Sequence, residues 1–303
     1  MSSQVAALQL RAQSSLQELH AGVTSLILTD FPDHGNIGDS AIALGERRFW
    51  DQSGIRMARV QSQPTLTRAT LRSTMTIAVH GGGNIGGLYP AADEHRYRLA
   101  SALPRGTVLI QEPQTVHFAT EARRREFEQR FARRENTRIA GRDDRSVEVL
   151  RQMMDDVVLS PDPVHLLGEL PALPPTQEFV YLRRRDDESA GRLREGIDWP
   201  DDPRDLNALR WWANRSAEMP PIRHLFQRKP STWMHKAERR LERGIAYLSQ
   251  GEVIVTDRLH AMLLGLQMGR RVIATDNSYG KLSAYAQTWL SGFGSQLELR
   301  EKA

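Results

Sequence analysis

Residues 25–50 read SLILTDFPDHGNIGDSAIALGERRFW, and the two ends of this stretch carry different periodicities. Ser25–Thr29 is a short apolar run, the pattern of a strand covered on both faces. Residues 39–50 repeat their apolar positions at helical spacing, with Asp39 or Ser40 placed to cap the helix. Between them lies Asp33-His34-Gly35-Asn36-Ile37-Gly38, a polar loop bounded by glycines. Strand, polar loop and helix in that order form the unit from which parallel sheets with covering helices are built.

The unit recurs outward from this point. Strands are expected at 55–60, 75–80 (MTIAVH), 107–111 (TVLIQ), 138–141 and 157–160, with helices at 93–103, 120–134 and 143–153 between them. Upstream, Val5, Leu8, Leu16 and Leu19 form the stripe of an opening amphipathic helix. Residues 161–175 (PDPVHLLGELPALPP) are proline-rich and mark a domain boundary. The alternation then restarts, with strands at 178–182, 253–256 and 271–275 and helices at 206–213, 233–248, 258–268 and 282–290. The expected fold is α/β, with two Rossmann-like domains, residues 1–168 and 176–303, facing each other across a cleft.

Composition narrows the function. The 303 residues include 41 Lys+Arg against 37 Asp+Glu and no cysteine. Without cysteine there are no disulfides, thiolate metal sites or cysteine nucleophiles. The lysines are Lys229, Lys236, Lys281 and Lys302; the other basic residues are arginines, whose planar fork of donors suits oxyanions. No apolar run is long enough to span a bilayer, and residues 1–20 lack the layout of a signal peptide, so a cytoplasmic protein is expected.

In open parallel sheets ligands bind in the loops at the carboxyl ends of strands. This rule selects residues 33–39, Gly81-Gly82-Gly83-Asn84 and residues 111–113 in the first half. In the second half it selects Arg183-Arg184-Arg185, Asp257-Arg258-Leu259-His260 and residues 276–281. Gly81, Gly83 and Gly86 match the spacing of a dinucleotide fingerprint, but Pro90 would fall in the second turn of the required helix, which disfavours a nicotinamide or flavin site. Asp257 is expected to cap a helix whose first turn carries Arg258 and His260. That places a guanidinium and an imidazole at a positive helix end, an arrangement that favours an anion. Lys281 follows the next strand, so cations converge from three strand ends. Trp199, Trp211, Trp212 and Trp233 lie in the least regular region; core packing or stacking on a sugar would each explain them.

The order HGNIGD, GGGN, RDDRS (residues 142–146), TDRLHA (256–261), GRRVIA (269–274) and SYGK (278–281) resembles the polysaccharide pyruvyl transferase family, over roughly residues 30–290. The resemblance implies a fold like the two-domain GT-B glycosyltransferases. It implies an enzyme that moves the pyruvyl group of phosphoenolpyruvate onto two hydroxyls of a sugar in an exopolysaccharide or cell-envelope glycan, or its lipid-linked precursor. A pyruvate ketal forms and phosphate leaves. Leu259 and His260 match a family position associated with the donor, as does an arginine after the first strand of the second half, among Arg183, Arg184 and Arg185. Asp186 and Asp187, which follow, either orient these arginines or neutralise them.

On this reading His260 is the acid, and Arg258, Leu259, Arg183, Arg184 and Lys281 hold phosphoenolpyruvate. Asp39 or His34 assists the acceptor hydroxyl, and His34, Asn36, Gly82, Gly83 and Asn84 bind the acceptor. No metal or cofactor is needed, phosphoenolpyruvate being a substrate. The rival enzyme is a GT-B glycosyltransferase with a nucleotide-sugar donor. A nucleic-acid partner is not expected: the arginines of residues 123–134 alternate with Glu121, Glu126, Glu128 and Glu135, as on a solvated helix face with Phe127 and Phe131 turned inward. Peripheral contact with the inner membrane surface fits a lipid-linked acceptor.

Overall fold

A computed structural model describes residues 3–186, 188–191, 193, 195–217 and 230–300. In chain order its elements are α1 (Ser3–Leu19), β1 (Ser25–Thr29), α2 (Ile37–Gln52), β2 (Arg56–Val60), α3 (Arg68–Leu71), β3 (Thr76–Val79), β4 (Gly82–Ile85), α4 (Pro90–Ala102), β5 (Leu109–Val116) and α5 (Glu121–Phe127). They continue with β6 (Thr137–Gly141), α6 (Asp144–Arg151), β7 (Val157–Leu159), β8 (Gln177–Leu182), α7 (Arg204–Ala217), α8 (Pro230–Leu248), β9 (Gly251–Thr256), α9 (Leu259–Gln267), β10 (Arg271–Thr275), α10 (Lys281–Trp289) and β11 (Leu297–Arg300). The fold is α/β, and its strands form two sheets. The first has the order β2-β1-β3-β5-β6-β7, with β4 pairing to β5; the second has the order β11-β10-β9-β8. The strand pairs in both sheets are parallel.

Parallel strands need covering on both faces, and the helices supply it. α9 shows the extreme case: all nine of its residues are buried, between β9, β10, α2 and the 3₁₀ turn Pro163–Leu167. Each buried leucine there stabilises the fold by roughly 1.5–3 kcal/mol relative to exposure. The two halves also share side chains. Val5, Leu8, Ile37 and Ala41 pack in the cluster built around the second sheet, while Trp233, Met234 and Ala237 of α8 join the cluster under the first.

Differences from the sequence reading have local causes. Asn36, and neither Asp39 nor Ser40, caps α2: its Oδ1 accepts from the Gly38 N–H at 3.0 Å. β5 runs on through Pro113 to Val116, because its register with β6 shifts between Gln111 and Gln114 and a proline at such an irregularity loses no ladder bond. The glycine loop contains β4, and Pro90 opens α4 at its first position, where a missing N–H costs nothing. The helix expected at 120–134 gives way to a π turn, Glu128–Ala132, and Phe127 and Phe131 are fully buried with ring centroids 5.1 Å apart. β4 and β11 were not anticipated.

Candidate active site

One cleft of about 510 Å³ is lined by residues that follow β1, β2 and β3 in the first sheet and β8, β9 and β10 in the second. Of the residues singled out from the sequence, His34, Asn36, Asp39, Gly82, Gly83, Asn84, Arg184, Arg258, Leu259, His260 and Lys281 line it together. Arg183 does not; its Nη1 donates to the Leu193 carbonyl at 3.1 Å. Arg185 is also outside the lining, so Arg184 is the member of the triplet that reaches the cleft. Asp187 lies outside the described residues.

On the first wall, the Asn36 side chain both caps α2 and donates to Asp39 Oδ2 at 2.8 Å; His34 Nε2 lies 3.6 Å from the same oxygen. Asn84 is fixed from behind by the buried Arg96, which bonds its Oδ1 and also donates Nε–H to Gln111 Oε1 at 2.7 Å. Gly83 lets the Lys281 ammonium lie close against the loop: a Cβ there would meet Lys281 Nζ and lie 3.0 Å from Arg142 Nη2, so both side-chain ends would have to shift.

On the second wall every cation already has an acid. Arg184 makes a forked contact with Asp186 at 2.7 and 2.9 Å and meets Glu188 at 2.8 Å. Arg258 pairs with Asp198 at 2.6 Å. Glu188 is the hub: it also accepts from Tyr89, Tyr279 and Asn277 at 2.8, 2.9 and 3.1 Å, and lies 3.3 Å from Lys281 Nζ. Burial acts to raise its carboxyl, yet Lys281 and Arg184 hold it down at about 2. Burial lowers Lys281 to about 8, an effect that Glu188 only partly offsets.

Asp257 is not the cap of α9. Its Oδ1 accepts from the Arg184 N–H at 2.7 Å, tying the end of β8 to that of β9, and Arg258 stands at the cap position without a side-chain cap bond.

His260 is held by Asp162, which the sequence reading passed over. Asp162 Oδ2 lies 3.1 Å from His260 Nε2 and 2.5 Å from Arg142 Nη1, and all three side chains are buried or nearly so. Burial would raise the Asp162 carboxyl; His260 and Arg142 more than reverse this and keep it well below the usual carboxylate range. Nε2 being engaged, Nδ1 is the nitrogen left for a substrate. It lies against Gly38, whose missing side chain makes room for the ring. Asp162 sits two residues past Ser160, the end of a predicted strand, so the strand-end rule could have found it.

The tryptophans divide: Trp199 lines the cleft, Trp233 is buried against Phe31, and Trp211 and Trp212 are exposed. The arginines between 123 and 133 are paired with Glu121, Glu126, Glu128 and Glu94. Among the described residues no helix is long and apolar enough to cross a membrane.

The two-sheet α/β frame thus sets a wall of paired cations opposite a polar, glycine-rich one across a single cleft. The family model for polysaccharide pyruvyl transferases matches residues 36–279, and the chain belongs to that family. It is 31% identical over 296 residues to pyruvyl transferase 1 of Schizosaccharomyces pombe, covering 90% of this chain and 71% of the relative. It is 26% identical over 299 residues to the putative pyruvyl transferase EpsO of Bacillus subtilis, covering 93% and 90% of the two chains. An uncharacterized Klebsiella pneumoniae protein of known crystal structure shares the fold, with a TM-score of 0.68 at 17% identity over the full length of both.

Proposed function

We propose that this polysaccharide pyruvyl transferase takes its pyruvyl group from phosphoenolpyruvate and closes it as a ketal on two hydroxyls of a sugar, in a GT-B-like arrangement of two Rossmann-like units. The observation that carries this reading is the convergence of Arg184, Arg258, His260 and Lys281 on one wall of a cleft whose other wall carries Asp39 and Gly82–Asn84. Phosphoenolpyruvate brings a carboxylate and a phosphate. Arg184, Arg258 and Lys281 bind them, exchanging their internal carboxylate partners for the donor's. His260, its Nε2 fixed by Asp162, delivers a proton from Nδ1 either to the methylene carbon or to the leaving phosphate. With the methylene protonated, the neighbouring carbon accepts one sugar oxygen; phosphate departs as the second oxygen bonds to that carbon. Asp39, oriented by Asn36, receives the proton of the first hydroxyl and passes it back to His260 through solvent, while the proton of the second hydroxyl leaves with the phosphate.

The test is phosphate release from phosphoenolpyruvate with and without saccharide acceptors, beside His260→Ala and Arg258→Ala. Acceptor-dependent release that both variants lose is expected. Protein that binds a nucleotide sugar and not phosphoenolpyruvate overturns the reading. An acceptor carried on a lipid would place the enzyme at the inner membrane face. Because the arginines of residues 123–133 are paired internally, any such contact depends on the acceptor and survives a high-salt wash.

A further inference from the structure

Asp30 follows the last residue of β1 and lines the cleft, yet nothing in the proposed donor chemistry uses it. Three observations single it out. Its φ is +60°; among the described residues the only other non-glycine with positive φ is Asn136, in a turn next to β6. Such a conformation costs energy at any residue with a Cβ and persists where something else requires it. Secondly, its carboxylate is buried and half-satisfied: Oδ1 accepts from Gln63 Nε2 at 2.7 Å, while Oδ2 has no partner. A buried carboxylate oxygen without a donor is rare enough to require a cause. Thirdly, the same situation recurs on that wall. Asp33 Oδ2 is also buried without a partner, although its Oδ1 is engaged by Lys236 and Arg240.

The surroundings fit a polyhydroxylated ring better than another anion. Asp33 is balanced by Lys236 and Arg240, and Arg96, His80 and His95 lie in the field of Asp30. This wall therefore offers open acceptor oxygens without net negative charge, which suits hydroxyl donors; Gln63 and Asn84 in the same lining add planar amide groups. Phe31 and Trp199 back the same lining, both almost fully buried, and give this end of the cleft an apolar floor. Asp39, by contrast, already accepts from Asn36 on Oδ2.

We propose that Asp30 anchors the acceptor: its Oδ2 takes the hydrogen bond of a hydroxyl on a hexopyranose, with Gln63 locking the carboxylate from the other side. Asp30 stands just past β1 with a positive φ and lines the cleft. The proposal rests on the reading of the site as one for pyruvyl transfer to a sugar.

Two variants test it. Asp30→Asn keeps the shape and tolerates positive φ; Asp30→Gly removes the side chain and suits that φ best. The probes are the methyl hexopyranosides of glucose, galactose and mannose and their 2-acetamido forms, followed by saturation-transfer NMR at tens of millimolar. Binding of phosphoenolpyruvate by calorimetry, phosphate release and Tm are measured on the same samples. Both variants are expected to weaken glycoside binding about tenfold or more. Phosphoenolpyruvate affinity should stay within about twofold, and Asp30→Gly should melt no lower than the parent. Unchanged glycoside affinity in Asp30→Asn overturns the proposal, as does absence of binding of every glycoside by the parent protein. So does an Asp30→Gly variant that melts lower and loses phosphoenolpyruvate, since that marks a structural role. If a glycoside binds through Asp30 but no phosphate is released, the subsite stands and the pyruvyl-transfer reading falls; if phosphate is released and both variants keep the parent's glycoside KM, the reverse holds.

Discussion

Glu188→Gln separates two roles for the hub of the cation wall. In the protein as it stands, Glu188 is drawn from an ordinary value of 4.5 to about 2, burial being outweighed by Lys281 and Arg184. That difference corresponds to about 3 kcal/mol of stability at neutral pH. The side chain is 3% exposed, so solvent screening does not reduce it much. Glutamine keeps the shape and can still accept from Tyr89 or Tyr279, but it leaves Arg184 and Lys281 facing each other without that charge; Arg184 retains Asp186. The expected loss is about 2–3 kcal/mol, or roughly 3–5 °C in Tm. The sign with pH follows from a depressed carboxyl: its contribution is complete above 4.5 and disappears as pH falls toward 2, so parent and variant should converge in acid. Phosphoenolpyruvate should then do more for the variant than for the parent, because its carboxylate or phosphate supplies the missing charge. A calorimetric Kd at least as tight as the parent's, with a larger ligand-induced rise in Tm, is expected. An unchanged Tm without ligand, or a Tm loss that phosphoenolpyruvate does not restore together with weaker binding, would refute the reasoning.

Other perturbations follow from single contacts. Lys281, lowered to about 8 chiefly by burial, grips an anion only when protonated; kcat/KM for phosphoenolpyruvate should lose a further factor of about ten per pH unit above that value. Lys281→Arg should move that limb upward in the same pH–rate profile, and a limb that stays put would show that Lys281 is not its source. Gly38→Ala drives a methyl group into the His260 ring; kcat should drop by one to two orders of magnitude on misplacement of the acid, with far-ultraviolet circular dichroism unchanged. Asp162→Asn leaves Arg142 buried without its charge partner and releases His260; denaturant titration should read a loss of about 3 kcal/mol or more.

How far the site can be read from the chain depends on the range of the contacts. The strand-loop-helix units were legible because hydrophobic period and glycine punctuation are local. The strand-end rule then led to the segments holding His34, Asn36, Gly82–Asn84, Arg258, His260 and Lys281, and to the triplet Arg183–Arg185 without choosing Arg184 from it. What escaped has a partner far away. Asp162 meets a histidine 98 residues later, and in the sequence it stood inside a proline-rich stretch read as a boundary. Asp30 shows its meaning only through a backbone angle and an unsatisfied oxygen. Asp39 and Asp257 look like helix caps on residue type alone, yet their geometry assigns one cap to Asn36 and turns Asp257 to the Arg184 amide. The acids of the cation wall carry the larger lesson. Counting arginines suggests a strong anion trap, but Arg184, Arg258 and Lys281 are already compensated by Asp186, Asp198 and Glu188. Under the proposed reading, donor affinity is a difference between a bidentate or bridging donor anion and the internal carboxylate it would displace, and the same carboxylates hold the guanidinium planes oriented. Removing an acid from this wall should thus strengthen donor binding while weakening the fold, the opposite of what removing an arginine would do to binding.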